Sequence, residues 1–439
     1  MWSWWRRGAC HEDKAAFSPP TPRTPVLILL SHLTGSPNSR HAALAYHEAG
    51  LLGACHHSLA WTDPPGLPAL LPGALRAALR RRQFPAVLAP RLRTHPLPEW
   101  TRLVTARLRL PLLAPLARRL CSIQASNRRF DRAVARSLGG SGCQAVHGYF
   151  DTSLHTFREA RRLGLRRIYE LPTPYWRTVR RVTEAERARR PGSDWNATLP
   201  SADSLAASAA QRDEELQLAD LILVPSAFVR DSLAEAPAFQ APVVVVPYGC
   251  PDLAPPLTTG DSPRLRLLFA GTLSQSKGLA DLLEAIEPLG DRVSLTLAGS
   301  ASGPLPAGLR HPGAQVRRAG QLPHGDLLQE MRGHDLLVLP TLYEGLSLVA
   351  LEAMSQGLPV LTTTCSGLDG LIENGRHARL VPPADPAALR AGIESLLSQP
   401  EARRSLAEQA RDWAREHSWQ RYGTSLVNAC RSAAVPSPQ

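Results

Sequence analysis

Two carboxylates, Glu344 and Glu352, lie eight residues apart in the stretch YEGLSLVALEAMSQGLPV, residues 343–360. The preceding letters DLLVLPT are typical of a strand that is buried on both faces and ends at its proline. Ser347 is a suitable N-cap for the helix that follows, because apolar residues recur there at helical spacing, and Gly357 predicts its end. We therefore expect Glu344 in a loop at a strand end and Glu352 inside a helix.

The start of this helix also predicts a seat for phosphate. Its first backbone N–H groups, from about Gly345 through Leu346 and Ser347 to Leu348, have no acceptor within the helix and favour an anion. Carboxylates accept strong hydrogen bonds from hydroxyl groups. Two solvated surface charges are the alternative interpretation, since most glutamates are exposed. The buried strand, the glycine loop and the apolar helix favour a ligand that carries phosphate and hydroxyls.

A second phosphate signal occurs in LLFAGTLSQSKGLADLLEAI, residues 267–286. This stretch predicts a strand, a turn that contains Gly271 and Thr272, and a helix that begins just after Lys277. Open α/β sheets bind ligands at the carboxyl ends of their strands, where the Lys277 ammonium and the helix amides would meet a diphosphate. A lone solvated lysine is the alternative, yet Lys277 is one of two lysines among 50 basic residues.

The chain alternates strand and helix patterns, which predicts parallel sheets covered on both faces and an α/β fold. The candidate strands are VLILL (26–30), AVLAP (86–90), CQAVHGY (143–149), RRIYEL (166–171), LILVP (221–225), VVVVPYG (243–249), RLLFAG (266–271), VSLTLAGS (293–300) and LLVLP (336–340). A length of 439 residues and a Pro-, Thr- and Gly-rich segment predict two domains and a linker. The predicted parts are a disordered or interfacial tail (1–24), a first domain (25–250), the linker (251–264), a second domain (265–400) and a C-terminal helix that packs back on the first domain, followed by a tail (401–439).

Composition narrows the classes of function. An apolar content of 44% is sufficient for globular cores, and a net charge of +12 suits a phosphorylated ligand or an acidic lipid surface. No nucleic-acid-binding motif is present, so nucleic acid is not an expected partner. Seven scattered cysteines without a C-x-x-C pair predict reduced thiols in the cytoplasm. The sequence shows neither a signal peptide nor an apolar run long enough to span a membrane.

Several of these stretches resemble a known family. FAGTLSQSKG, LAGS, GQLPHGDLLQEMRGHDLLVLPTLYEGLSLVALEAMSQGLPVLTT and LIENGRHARLVPPADPAALRAGIESLL are similar, in order and spacing, to the C-terminal domain of family 4 retaining glycosyltransferases. The resemblance covers about residues 217–400, and the first half matches loosely. It implies the GT-B fold, in which two Rossmann-like domains with parallel sheets face a central cleft.

The resemblance also implies roles for the residues of the predicted site. Glu352 would bind the ribose of a nucleotide sugar, and Glu344 would contact the donor sugar and position it. Lys277 and the amides of residues 345–348 would hold the diphosphate. The sugar would be transferred with retention, without a covalent intermediate, and without a metal or other cofactor, since no Asp-x-Asp motif is present.

The sequence departs from the family pattern at three positions. Thr272 and Ser276 stand where relatives usually or often have basic residues, so the diphosphate site is one cation short. Candidates for the missing charge are Arg40, Arg264 and Arg266. Tyr149 replaces a histidine that contacts the donor sugar in many relatives. His147, two residues earlier, aligns with a structural position.

The first domain is expected to bind the acceptor, which is a glycan, a lipid-linked or a small molecule. Gly35 lies in a loop between its first strand and a helix with Pro37 in the first turn, and this loop is a candidate for donor contact. Basic amphipathic stretches at 74–82 and 102–120 predict weak binding to an anionic membrane, which adds the inner face of the cytoplasmic membrane as a location. The alternatives are a nucleotide-sugar epimerase and a degenerate module that binds nucleotide sugar without transferring it.

Overall fold

A computed structural model describes residues 26–62, 83–96, 122–255, 264–301, 306–310 and 315–432. Five predicted segments lie wholly or mostly outside these ranges. They are the N-terminal tail (1–24), the two basic stretches at 74–82 and 102–120, the linker (251–264) and the C-terminal tail after residue 432.

The first half of the chain forms a seven-stranded sheet in the order β5-β2-β1-β6-β7-β8-β9, with every neighbouring pair parallel. β3 and β4 form a separate two-stranded pair. The strands are β1 (Ile28–Ser31), β2 (Leu52–His57), β3 (Trp61–Thr62), β4 (Gln83–Phe84), β5 (Leu92–Thr94), β6 (Ala145–Tyr149), β7 (Arg166–Glu170), β8 (Leu221–Val224) and β9 (Val243–Val245). The order reverses direction between β1 and β6.

The second half forms a six-stranded parallel sheet in the order β12-β11-β10-β13-β14-β15. Its strands are β10 (Leu265–Ala270), β11 (Val293–Ala298), β12 (Val316–Gly320), β13 (Leu336–Leu339), β14 (Val360–Thr363) and β15 (Arg379–Val381). This is the 3-2-1-4-5-6 order of the dinucleotide-binding fold, and the direction of winding reverses between β10 and β13.

Helices cover the faces of the sheets. They are α1 (Pro37–Glu48), α2 (Ile123–Ser137), α3 (Leu154–Arg162), α4 (Trp176–Arg189), α5 (Ala202–Ala206), α6 (Ala209–Leu218), α7 (Ala227–Ser232), α8 (Leu279–Ile286), α9 (Ala307–Arg310), α10 (His324–Arg332), α11 (Leu348–Gln356), α12 (Pro386–Ser398), α13 (Pro400–Glu416) and α14 (Trp419–Ser432). Among the described residues, no helix is both long enough and apolar enough to cross a bilayer.

The predicted strand AVLAP is wrong, because residues Ala86–Arg91 form a 3₁₀ helix. Leu88 is buried there, while Val87 is 51% exposed, so this apolar run does not have the two buried faces of a central strand. Pro90 also lacks the N–H that a central strand would donate. The other eight candidates each contain a strand.

The last described part of the chain forms two helices, α13 and α14, where one was predicted. Ser418 separates them, and its side chain accepts a hydrogen bond from the backbone N–H of Arg421 in the first turn of α14. α14 lies against α1 so closely that a Cβ on Gly423 would lie 2.9 Å from the Cβ of Ala45. The C-terminus of the described chain therefore packs on the first domain. The domain boundaries stay a prediction.

Candidate functional site

The two sequence signals for phosphate meet where the winding of the second sheet reverses. Lys277 follows β10 and Glu344 follows β13, and these strands are neighbours in the sheet. The Nζ atom of Lys277 lies 2.6 Å from Oε1 of Glu344, with each side chain about a quarter exposed. Because loops on the two sides of such a point diverge, a crevice opens there at the carboxyl ends of the strands.

A glycine positions Lys277. The residues Gln275–Lys277 form a single 3₁₀ turn that ends at Gly278, whose φ of 69° is left-handed. A Cβ at Gly278 would lie 1.8 Å from the carbonyl oxygen of Pro340, so no other residue fits without movement of the backbone. The close approach holds the Lys277 turn against the end of β13.

Gln275 anchors the same turn to the first domain. Its buried side chain donates hydrogen bonds to Glu186 of α4, at 2.8 Å, and to Asp281 of α8, at 3.0 Å. Its backbone N–H donates to the hydroxyl of Thr198, at 2.8 Å. The position of Lys277 thus depends on contacts that cross between the domains.

Two arginines balance the buried acids of this junction. Arg189 and Arg190 at the end of α4 each donate a hydrogen bond of 2.6 Å to Oδ1 of Asp281. Arg190 also lies 2.6 Å from Glu284, which is half exposed. Buried carboxylates are stable only when they are paired, so this ion cluster keeps the two domains in contact beside Lys277.

In the glycine loop before α11, fewer backbone N–H groups are available to a phosphate than the sequence predicted. The N–H of Ser347 donates to the carbonyl of Ser366 at 3.1 Å, so the prediction that this amide binds phosphate needs correction. The side chain of Ser347 accepts from Ala350 as the predicted N-cap, and Gly357 closes the helix in a left-handed conformation, as predicted. Within the described residues, the N–H groups of Gly345, Leu346 and Leu348 make no hydrogen bond. These three amides remain for an anion.

Gly345 also lies against the first domain. Its carbonyl accepts a hydrogen bond of 2.5 Å from the hydroxyl of Ser226. A Cβ on Gly345 would lie 1.8 Å from the carbonyl oxygen of Pro172, which follows β7. The loop that carries Glu344 is therefore held between the two domains.

Glu352 has a partner that the sequence did not reveal. His324, at the start of α10, places its Nε2 3.0 Å from Oε1 of Glu352. The side chain of Glu352 is 15% exposed, whereas that of His324 is 63% exposed. The hydrogen bond to Glu352 raises the pKa of His324 above its ordinary value, so the pair favours a charged imidazole.

Glu352 faces a cavity of about 1660 Å³ between the domains. The second domain contributes Leu348, Val349 and Glu352 to its wall, and the first domain contributes Arg40 and other residues of α1. A small-molecule pocket typically measures about 300 to 1,000 Å³, so this cavity has room for an extended ligand. Trp419 of α14 also lines it and stacks on His41 at a ring distance of 4.0 Å.

Three other residues that the sequence predicted as ligand contacts are Gly35, Gly271 and Thr272. Thr272 is exposed beside Gly271, whose N–H donates to the carbonyl of Ala298 at 2.9 Å. Gly35 is buried against Phe84, and its N–H donates to Nδ1 of His32 at 2.9 Å. The amides of Gly35 and Gly271 are therefore already bonded, and both glycines stay candidates only through the shape of their loops.

Tyr149 and His147 belong to a buried polar cluster around Glu170. Oε2 of Glu170 lies 3.2 Å from Nε2 of His147, and Oε1 accepts from Asn38 at 2.8 Å. Burial alone would raise the pKa of Glu170, but the interaction with the adjacent His147 ring and the hydrogen bond from Asn38 outweigh burial and lower it. Tyr149 is 2% exposed and its ring stacks on His147. Its hydroxyl is buried as well, so Tyr149 does not present a polar group to the cleft.

The structure brings Lys277 into contact with Glu344, and it places Leu348 and Glu352 on the wall of one cavity. It adds His324, Gln275 and the acid–arginine cluster of α4 and α8. Those contacts join residues that are far apart in the chain, and no local pattern indicates them. Among the described residues, no group of three or more His, Cys, Asp or Glu side chains is arranged to hold a metal ion.

The second half of the chain is similar in sequence to known glycosyl transferases. Residues 259–413 match the family model of glycosyl transferases group 1. The glycogen synthase of Mycobacterium tuberculosis is 31% identical over 185 residues, which is 39% of this chain and 45% of that one. A D-inositol 3-phosphate glycosyltransferase of Geodermatophilus obscurus is 34% identical over 187 residues, 38% of this chain and 40% of that one. The chain spans less than half the length of these relatives. The family-model match at 259–413 contains every second-domain residue of the site.

Solved structures share the whole fold. The sucrose-phosphate synthase of Thermosynechococcus elongatus aligns with a TM-score of 0.63 and 18% identity over 93% of this chain and 99% of that one. The Anabaena protein HepE in complex with UDP-glucose aligns with a TM-score of 0.60 and 15% identity, over 93% and 100%. The predicted fold class, two α/β domains of the GT-B type with parallel sheets, is thus confirmed.

Proposed function

We propose that this chain is a retaining glycosyltransferase of family 4, which moves a sugar from a nucleoside diphosphate sugar to a hydroxyl acceptor. The observation that carries the proposal is the Lys277–Glu344 pair beside the unbonded amides of Leu346 and Leu348. It occurs at the switch point of a sheet whose sequence matches group 1 transferases. The UDP-glucose complex of the structurally similar HepE supports a nucleotide sugar as donor.

Each residue of the site then has a role. Glu352 accepts hydrogen bonds from the ribose hydroxyls. For this to happen, the His324 side chain must either turn away from the Glu352 carboxylate or share it with the ribose. Lys277 and the amides of Gly345, Leu346 and Leu348 bind the diphosphate, because an ammonium and N–H groups both stabilise anionic oxygens. Glu344 accepts hydrogen bonds from the donor sugar and holds it in position.

The reaction breaks the bond between the anomeric carbon and the diphosphate oxygen. The acceptor hydroxyl forms the new bond on the same face of the sugar, and its proton passes to the departing diphosphate oxygen. Lys277 and the loop amides stabilise the negative charge that develops on that oxygen, in a site that is organised before the reaction begins. Because these groups supply the positive charge, we propose that no metal ion or other cofactor is required.

We further propose that the first domain binds the acceptor, which is a glycan, a lipid-linked or a small molecule, at the cytoplasmic side of the membrane. The high net charge supports contact with an anionic lipid surface. Binding to vesicles with and without acidic lipid tests this part, and equal binding to both would contradict it.

The proposal is tested by incubating the protein with UDP-, GDP- and ADP-sugars, each with glycan and lipid-linked acceptors, in the presence of a chelator. Release of one nucleoside diphosphate that depends on an acceptor supports it. A change of the sugar without release of nucleotide would indicate the epimerase, an activity that the comparisons do not favour. Tight binding of a donor without transfer to any acceptor would indicate the degenerate binding module.

A further inference from the structure

The second domain has no basic residue at Thr272 or at Ser276. The three arginines that could supply the missing charge lie in different parts of the structure. Arg266 forms a two-bond ion pair with Asp335, at 2.8 and 3.0 Å, near the start of β10. Arg264, just before the same strand, lies 3.6 Å from Asp291 and is 54% exposed. Both lie at the amino end of β10, whereas the site lies at its carboxyl end. Neither can reach a phosphate at Lys277.

Arg40 lies on the correct side. It belongs to α1 of the first domain and lines the interdomain cavity together with Leu348 and Glu352. Its Nη1 donates a hydrogen bond to the carbonyl of Gln83 at 3.3 Å. Burial lowers the pKa of Arg40, as expected for a cation that has lost part of its hydration.

The electrostatic influence of Arg40 extends to both domains. Its charge opposes the rise in the pKa of His324, across the cavity in the second domain. On the first domain, burial lowers the pKa values of His32 and His41 to about 4, and the charge of Arg40 acts in the same direction. Arg40 on one domain and the His324–Glu352 pair on the other line the same cavity.

We propose that Arg40 is the second cation of the donor diphosphate, supplied by the opposite domain. The inference rests on the proposed function. A nucleotide with its ribose at Glu352 and its diphosphate at Lys277 must pass Leu348, because the amide of Leu348 belongs to the phosphate seat. Leu348 and Arg40 both line the cavity that this nucleotide would occupy.

A diphosphate held in this way contacts both domains, whereas a nucleoside contacts mainly the second domain. The gain in affinity from the β-phosphate should therefore depend on Arg40 as well as on Lys277. A guanidinium can donate hydrogen bonds to two phosphate oxygens at once, whereas an ammonium acts as a point charge. Arg40→Lys should therefore keep part of the affinity that Arg40 contributes to the β-phosphate, and Arg40→Gln should keep none of that contribution.

The test measures by calorimetry the affinities of the nucleoside and of its mono- and diphosphates, for the base that the wild-type protein prefers. The variants are Arg40→Gln, Arg40→Lys and Lys277→Ala, and Arg264→Gln is the matched control that removes an equal charge from the other end of β10. Arg40→Gln is expected to weaken the diphosphate about 10- to 100-fold and the nucleoside hardly at all. Unchanged nucleoside binding also shows that the variant is folded.

Diphosphate affinity of Arg40→Gln equal to that of the wild type, together with a loss in Lys277→Ala, would overturn the role of Arg40 and leave the proposed function intact. An equal loss in Arg264→Gln would overturn it too, because the effect would then reflect net charge. If the wild-type protein binds no nucleoside diphosphate, both the inference and the proposed function are wrong.

Discussion

The ammonium of Lys277 lies 2.6 Å from a carboxylate oxygen of Glu344, so each residue neutralises the other before a ligand enters. The two have different tasks in the proposed reaction, since Lys277 binds the diphosphate and Glu344 binds the sugar. A bound donor must therefore either separate the Lys277 ammonium from the Glu344 carboxylate or bind to both while they stay in contact. The diphosphate product lacks the sugar that Glu344 binds, so the negative charge of the Glu344 carboxylate only opposes its binding.

We expect Glu344→Gln to separate binding from turnover. The neutral amide releases Lys277 and removes a repulsion, so the nucleoside diphosphate should bind as tightly as to the wild type or several-fold more tightly. Turnover should fall by about 100-fold or more, because the donor sugar loses its charged acceptor in the transition state. Calorimetry and product formation measure the two quantities, and equal losses of affinity and turnover would contradict the role.

The role of Glu352 predicts a preference for ribose. The wild type should bind a ribonucleoside diphosphate about 10- to 100-fold more tightly than its 2′,3′-dideoxy analogue, since hydrogen bonds to a charged acceptor are strong. Glu352→Gln should lose most of this preference. Glu48→Gln is the control, because Glu48 lines the same cavity from α1. A preference that persists in Glu352→Gln would place the ribose elsewhere.

The His324–Glu352 pair predicts a dependence of stability on pH. Because the pKa of His324 is raised in the folded protein, the pair contributes fully below about pH 6.5, the ordinary value, and is lost as pH rises through the raised pKa. The contribution of the pair to the free energy of unfolding should stay below about 1 kcal/mol, since the His324 side chain is 63% exposed. The free energy of unfolding of wild type minus that of His324→Gln should decrease between about pH 5.5 and pH 8.5. A constant or increasing difference would show that the pair does not act in solution.

Gly278 allows a test of how the backbone positions Lys277. Gly278→Ala should destabilise the fold by more than about 3 kcal/mol, because the methyl group would meet the carbonyl of Pro340 in addition to the left-handed strain. Gly142→Ala is the matched control, since its φ of 66° is similar and its added methyl group would meet no other part of the chain within 4 Å. It should destabilise by only about 1 to 2 kcal/mol. Equal losses of unfolding free energy would exclude the contact as the cause.

The parts of the site that depend on local sequence were predictable. Ser347 and Gly357 define α11 because capping needs only near neighbours, and the alternation of strands defines the two α/β domains. The contacts between distant segments were not predictable. Lys277 meets Glu344 because β10 and β13 become neighbours, and His324 meets Glu352 because α10 packs beside α11. The amide of Ser347 was assigned to phosphate because its bond to Ser366 is invisible in the sequence.

The central claim is that a nucleoside diphosphate binds between Lys277 and Glu352. The most direct measurement is the calorimetric affinity of UDP, GDP and ADP for the wild type, Lys277→Ala and Glu352→Ala, with a chelator present throughout. The account predicts that the wild type binds one of the three, and that the Lys277 variant and the Glu352 variant each bind that diphosphate more weakly. Binding that neither substitution changes, or no binding by the wild type, would contradict it.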